Sequence, residues 1–221
     1  MIQVSKYGVD FKVVETTDTL NDFWRTVFPH WEDNTYNAIV PHLDTNKTFL
    51  DIGAWQGPIS MVAQKFSKQC ICFEPDHIAY SNLQRNLELN GFTNVIAVNK
   101  AVSQASELTL GHATELGGGG TSYLTPTLTF NPQTISIAQI LEEYELNEDN
   151  ISVIKIDIEG YESKLLQDPL LKSLNVPMHI SLHPFLFSNR EEYFETMAEF
   201  FGTAEYIQGN ECYEIFLNKR S

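Results

Sequence analysis

TFLDIGAWQGPISMVAQKF, Thr48 to Phe66, passes from a short apolar run through two glycines into residues with helical spacing. A run of this kind suits a strand buried on both faces, and Pro58 is a favoured first residue of a helix. Gly53 ends the strand and Gly57 precedes the helix, so the backbone of the turn can approach a ligand lying across the strand's carboxyl end. Asp51, two residues before Gly53, adds a carboxylate there. The stretch reads as the first strand, ligand turn and first crossover helix of an open α/β sheet.

The same alternation runs on along the chain. CICFEP (70–75), NVIAVNKAV (94–102), ISVIKIDIEG (151–160) and PMHISLH (177–183) are short apolar runs rich in β-branched residues. Between the second and third, HIAYSNLQRNLELNG places Ala79, Leu83 and Leu87 on one helical stripe before Gly91 as a stop. A βαβαβ order implies a doubly wound, mostly parallel sheet. The tail reads as a last helix, EEYFETMAEFFG, then a hairpin, AEYIQG with CYEIFLNKR, closing one sheet edge. Upstream, residues 1–47 carry scattered aromatics that suggest an amphipathic helical cap interrupted at Pro29 and Pro41. GGGG, 117–120, suggests a loop over the carboxyl ends of the strands.

The 221 residues, 43% hydrophobic, can close one core, and we expect one domain: an N-terminal cap over 1–47 and the α/β core over 48–221. Lys and Arg number 14 against 29 Asp and Glu, a formal charge of −15. Such a surface repels polyphosphate, so no nucleic-acid partner is expected. No stretch approaches the roughly 18 apolar residues of a spanning helix, and the first residues lack a leader pattern, so the expectation is a cytoplasmic protein without a membrane partner. The three cysteines lack zinc-site spacing. Cys70 and Cys72 share one face of a strand and read as core.

Glu74, at the end of the second strand, follows Gly53 by 21 residues. Near that spacing an acidic side chain meets the hydroxyls of a ribose and repels a 2′-phosphate. NAD is disfavoured, because GAWQG has one glycine fewer than the dinucleotide fingerprint before its helix opens, and Trp55 and Gln56 crowd the pyrophosphate path. S-adenosylmethionine meets the same demands better. It carries adenosine for Glu74 and for an apolar floor after strand three, an ammonium and a sulfonium for nearby carboxylates, and no phosphate.

FLDIGAWQG, CFEPD, NLQRNLELNG and VIKIDIEGYE, in this order, resemble the FkbM family of S-adenosylmethionine-dependent methyltransferases. The resemblance covers about residues 30–185 and is carried most by IKIDIEGYE. It implies the class I methyltransferase fold, a Rossmann-like central sheet of seven mostly parallel strands with helices on both faces and one antiparallel edge strand. It also implies O-methylation of a sugar or other small hydroxylated acceptor. On the matching positions the cofactor falls to Asp51, Gly53, Ala54, Trp55, Gly57, Glu74, Pro75, Ala101 and Asp157. Glu32, in HWEDNTY, matches an upstream element and would help hold the ammonium. Trp55 stands where the family commonly has Asn, and Pro58 where an aromatic is common. An obstructive Trp55 would fit a non-catalytic cofactor-binding or partner-binding protein on the same fold, the second reading; an NAD-dependent oxidoreductase is the third.

Methyl transfer is an in-line displacement, and the protein must position the acceptor oxygen, exclude water and draw off a proton. Asp157 and Glu159, two apart, would share one strand face at the sheet's carboxyl end. As a pair they suit a base or a divalent metal; alternatively Asp157 supports the cofactor while Glu159 caps a helix near Tyr161. No metal is expected. His183, ending the fifth strand before Pro184, titrates in the useful range and is the expected base, with Asp157 and Glu159 beside it. The oligomeric state is not legible.

Overall fold

The computed structural model describes residues 1–113, 120–122, 128–183, 205–208 and 213–217. It opens with a hairpin that the sequence reading did not anticipate, β1 (Ile2–Lys6) and β2 (Val9–Val13), paired antiparallel. The pattern is plain in retrospect: Ile2, Val4 and Lys6 alternate with exposed residues, as do Val9, Phe11 and Val13. Tyr7 and Gly8 between them both have positive φ, 54° and 71°. That conformation makes the tight two-residue turn that matches strand twist. The expected helical cap follows in pieces: α1 (Asp18–Asp22), a π turn over Phe23–Val27, a 3-10 turn over Phe28–His30, α2 (Asp33–Ile39) and a second 3-10 turn over Val40–His42. Pro29 and Pro41 stand at the starts of the two 3-10 turns, where a missing amide N–H costs least.

The α/β core begins with β3 (Thr48–Ile52), α3 (Pro58–Ala63), β4 (Gln69–Phe73), α4 (His77–Asn90) and β5 (Val95–Val98). Asp76 caps α4 by accepting from Ile78 and Ala79 amides, Ala79, Leu83 and Leu87 form its buried stripe, and Gly91 at φ 66° ends it. Residues 94–102 do not form one strand. β5 stops at Val98, and β6 (Ala101–Val102) pairs instead with β10, so Ala101 lies off the main sheet. Next come β7 (Leu110–Ala113), β8 (Gly120–Ser122), β9 (Leu128–Phe130), β10 (Thr134–Ile135) and α5 (Ile137–Glu143); β7, β8 and β9 make a small antiparallel sheet. β11 (Ile151–Ile156), α6 (Glu162–Leu165), α7 (Pro169–Ser173), β12 (Met178–Leu182), β13 (Glu205–Gln208) and β14 (Tyr213–Leu217) complete the described elements. Residues 117–119 of the glycine run and the helix expected over 191–202 lie outside the described residues.

The main sheet has the order β13-β14-β12-β11-β3-β4-β5. All pairings from β12 to β5 are parallel, and β14 is antiparallel to both neighbours. The antiparallel strand is therefore second from the edge rather than at it, because the closing hairpin places β13 outside β14. Chain order reverses between β3 and β11, which makes their carboxyl ends the topological switch point, where open α/β sheets bind ligands.

One sheet face buries Leu50, Ile52, Ile71, Phe73, Ile154 and Ile156. The other buries Phe49, Cys70, Cys72 and Val153 against the N-terminal residues Phe11, Trp24, Phe28, Tyr36 and Ile39. Cys70 and Cys72 are buried with free thiols, as a core role requires. Residues 1–47 thus supply one wall of the core. Among the described residues no helix is long and apolar enough to cross a membrane.

Candidate active site

Strand register puts a polar row on the face covered by the N-terminal segment. Lys155 on β11 pairs with Asp51 on β3 and His179 on β12, and Asp51 pairs with Cys72 on β4. Lys155 is 2% exposed and its Nζ lies 3.2 Å from Asp51 Oδ1 and 3.4 Å from Asp157 Oδ2. It also donates to the Gly53 carbonyl at 2.9 Å. Burial pushes the Lys155 pKa down, but Asp51, Asp157 and Glu32 more than offset this and hold it above the usual lysine value. The ammonium fastens the first strand's turn to the end of β11.

The turn itself is shaped by contact. Gly53 has φ 85°, and a Cβ there would stand 1.7 Å from the Asp157 carbonyl oxygen. Gly57, at φ 86° before α3, faces Leu83 so closely that a Cβ would meet its Cδ1 at 2.4 Å. Gly53 and Ala54 both donate to the Phe73 carbonyl at 3.0 Å, and Ser60 Oγ donates to Asp51 Oδ2 at 2.7 Å. Glu74, 5% exposed, accepts from the Trp55 amide through Oε2 and from the Asp76 amide through Oε1, both at 2.8 Å. Burial pushes its pKa up to about 8 against the pull of those two amides. A carboxylate has about four lone-pair directions. Two remain for a ribose. Pro75 follows, half-buried, its carbonyl accepting from Asn99. Ala101 is buried, its amide bonded to the Gln133 carbonyl.

Trp55 takes a left-handed conformation, φ 49°, and its ring joins the N-terminal aromatics. It stacks on Trp24 at 6.0 Å and 10°, and meets Phe23 edge-on at 5.1 Å. Trp31 lies 6.3 Å away. Glu32, next in sequence, also has φ 49° and a charge that acts on both Tyr36 and Lys155, which brings the cap to the polar row.

At the end of β11 the expectation of a shared strand face fails. The strand stops at Ile156, and Asp157 and Glu159 lie beyond it, with Glu159 at φ 50° and Gly160 at φ 102°. The turn nonetheless gathers both carboxylates at the imidazole of His183, which follows the last residue of β12. Its Nε2 lies 3.5 Å from Asp157 Oδ1 and 3.8 Å from Glu159 Oε1. Burial pushes Asp157 up while Lys155 and His183 pull it lower, and the balance leaves it below the usual carboxylate value. Burial pushes Glu159 up to about 7, although its side chain is 45% exposed and water there tempers the push.

Two residues of this site were missed from sequence. Glu162, 0% exposed, places Oε1 2.8 Å from His183 Nδ1 and accepts from the Ile158 and Gly160 amides. Glu162 thereby ties down the turn before α6, whose N-cap residue is Tyr161 and has no side-chain cap. Lys155 is the other. A lone lysine inside the strand ISVIKI, otherwise apolar but for Ser152, is itself the signal, since lysine is almost never buried without a charged partner.

The buried polar groups fit a ligand with adenosine and cationic parts. Among the described residues, Tyr36 Oη and both amide atoms of Gln56 are buried and make no hydrogen bond. The carboxylates of Asp51, Asp157, Glu159 and Glu162 outnumber the ammonium of Lys155 beside them.

A model of the methyltransferase FkbM domain matches residues 44–211. Among solved structures, a 16S rRNA methyltransferase of T. thermophilus in complex with AdoMet and guanosine aligns over 99% of this chain and 50% of its own, at 13% identity and a TM-score of 0.58. An rRNA methylase from Streptococcus thermophilus aligns over 85% of this chain and 95% of its own, at 12% identity and 0.54. Methyltransferase FkbM from Methylobacillus flagellatus KT aligns over 79% and 44%, at 14% identity and 0.50. At these identities what is shared is the fold. No curated protein matches the chain. The match over most of its length and the site just described agree: the chain belongs to the methyltransferase FkbM domain family.

Proposed function

We propose that this chain methylates a hydroxyl of a small molecule, such as a sugar, with S-adenosylmethionine as the donor. The observation that carries the reading is the meeting of Asp157, Glu159 and His183 at the switch point, beside the turn after β3 that Glu74 fastens through the Trp55 amide. When bound, S-adenosylmethionine supplies a methyl group on a sulfonium leaving group. Glu74 takes the ribose hydroxyls with its two remaining lone-pair directions. Gly53, Ala54, Trp55, Gly57 and Pro75 shape the turn around the cofactor, Ala101 belongs to its apolar surroundings, and Asp51 with Glu32 supplies negative charge for its ammonium. Asp157, held by Lys155, orients the reacting groups. His183 and Glu159 stand on the acceptor side, where the proton the hydroxyl loses on methylation leaves to water past the exposed side of Glu159.

A small acceptor is favoured over RNA by charge. With 14 basic against 29 acidic residues, the chain has few cations with which to neutralise a phosphate backbone. The packing of the Trp55 ring against Phe23 and Trp24 supports the catalytic reading over a non-catalytic one.

Incubation with radiolabelled S-adenosylmethionine and a panel of sugars, polyols and RNA tests this. Label on a hydroxylated small molecule supports the reading. Label on RNA alone, or tight cofactor binding with no transfer to any acceptor, overturns it.

A further inference from the structure

We propose that Asp157, Glu159 and His183 form a site for a divalent cation of the manganese and zinc class, against which the acceptor oxygen is held. The inference rests on the methyltransferase reading for its purpose but not for its geometry. One donor atom from each of the three side chains lies within 4.8 Å of the others. The His183 Nε2 distances of 3.5 Å to Asp157 and 3.8 Å to Glu159 exceed the roughly 2.7 to 3.2 Å of an N–H···O bond. The first lies between, and the second just beyond, the spacings of ligands sharing an ion: donors about 2.1 Å from one ion stand about 3.0 Å apart at a right angle and about 3.6 Å apart at a trigonal angle.

The second observation lies behind the imidazole. Glu162 is fully buried, and both of its oxygens accept backbone amides, Ile158 and Gly160, so it acts toward His183 Nδ1 as an acceptor. That contact holds a proton on Nδ1 and leaves Nε2 facing the two carboxylates, where a divalent cation would take the place of the Nε2 proton. A carboxylate behind a histidine is also the usual support of a metal-binding imidazole. Asp157 divides its duties, with Oδ2 toward Lys155 and Oδ1 toward His183.

One imidazole and two carboxylates suit manganese or zinc better than magnesium, which favours oxygen alone. Three protein ligands leave positions open, as in catalytic rather than structural sites. An ion there lowers the pKa of a bound hydroxyl, its proton passing to solvent at the exposed side of Glu159. Acceptors with two neighbouring oxygens, able to chelate, become the favoured class.

Manganese binding to the metal-stripped full chain, followed by electron paramagnetic resonance of the free ion, tests the site, with zinc as competitor. One manganese per chain is expected, weakened about tenfold or more by Glu159→Gln and by His183→Ala, and about 10- to 100-fold by Glu162→Gln. Glu159 is partly exposed, so its variant keeps the test open if His183→Ala fails to fold. Absence of binding at about 1 mM manganese, or binding indifferent to Glu159→Gln, overturns the proposal. Calorimetry with S-adenosylmethionine separates the two readings: cofactor binding without manganese binding removes the metal site alone, and manganese binding without cofactor binding removes the methyltransferase reading alone.

Discussion

Glu162 Oε1 lies 2.8 Å from Nδ1 of His183, and neither side chain has appreciable contact with water. The pair sets which imidazole nitrogen faces the acceptor, so Glu162→Gln, which keeps size but removes charge, is expected to lower turnover about 10- to 100-fold. Cofactor affinity should change little, because Glu162 holds the His183 ring and the turn at Gly160 rather than the turn at Gly53. Steady-state kinetics with calorimetric S-adenosylmethionine binding checks both. A large loss of cofactor affinity with turnover preserved would show Glu162 to be part of the cofactor site.

Gly53→Ala is expected to fail at folding before it fails at binding. A Cβ 1.7 Å from the Asp157 carbonyl oxygen meets backbone that cannot swing aside, with the Ile158 side chain next to it, and φ 85° adds strain for any side chain. A loss above about 3 kcal/mol follows from this clash, since neither strand end can withdraw without breaking the sheet. Thermal unfolding measures it; a variant as stable as the parent would contradict the close approach of β3 and β11.

Much of this architecture was legible because it is repetitive. A buried parallel strand is a continuous apolar run, and α4 has a stripe, a capping Asp and a terminating Gly. The hairpin over Ile2–Val13 was overlooked although its alternation is regular, because its few apolar positions are interleaved with exposed polar ones. NVIAVNKAV split at its polar pair Asn99 and Lys100, beyond which Ala101 and Val102 find another partner in β10. The site residues Glu74, Asp157, Glu159 and His183 follow from their places at strand ends. Glu162 does not, because its partner His183 is 21 residues away and only the turn through Gly160 brings them together.

Lys155→Met is expected to destabilise the fold by about 3 to 5 kcal/mol, because it leaves Asp51 and Asp157 beside each other with no ammonium between them. In the parent chain Asp157 is held below its usual pKa despite burial, with Lys155 the foremost pull. Without Lys155 the balance turns toward the protonated acid, whose folded-state pKa then lies above the unfolded value. Stability contributed that way is present at low pH and lost as pH rises, so the deficit should be smaller near pH 4 than at pH 7. Chemical unfolding at the two pH values checks this. An equal deficit at both would mean that lost packing, not charge, dominates.

Trp55→Asn replaces the indole with the residue the family commonly carries. Asn tolerates φ 49° better than Trp, a gain of about 1 kcal/mol or less, while the ring's contacts with Phe23, Trp24 and Trp31 are lost, a cost of about 2 to 3 kcal/mol. Packing wins, and the melting temperature should fall by several degrees. The bond that Trp55 makes to Glu74 comes from its backbone, so cofactor affinity should stay within about twofold. A loss of binding greater than about tenfold would mean that the indole itself touches the cofactor.

Glu74 links cofactor binding to pH. Burial raises its folded pKa to about 8, above the ordinary carboxylate value, so folding favours its protonated form. The stability this contributes is complete below the unfolded pKa and is lost as pH rises through 8. Ribose hydroxyls donate, however, and select the ionised form. With the free protein about nine-tenths protonated at pH 7, binding of S-adenosylmethionine should release nearly one proton there and about none at pH 9. Affinity should accordingly rise about tenfold over the same interval. Calorimetric titration in two buffers of different ionisation enthalpy counts the proton. Glu74→Gln should bind at least about tenfold more weakly at pH 9, since each charge-assisted bond contributes about 1.5 to 3 kcal/mol, and should show no proton release. Proton release that persists in the Gln variant would assign the linkage to another group, and an unchanged dissociation constant at pH 9 would remove Glu74 from the ribose.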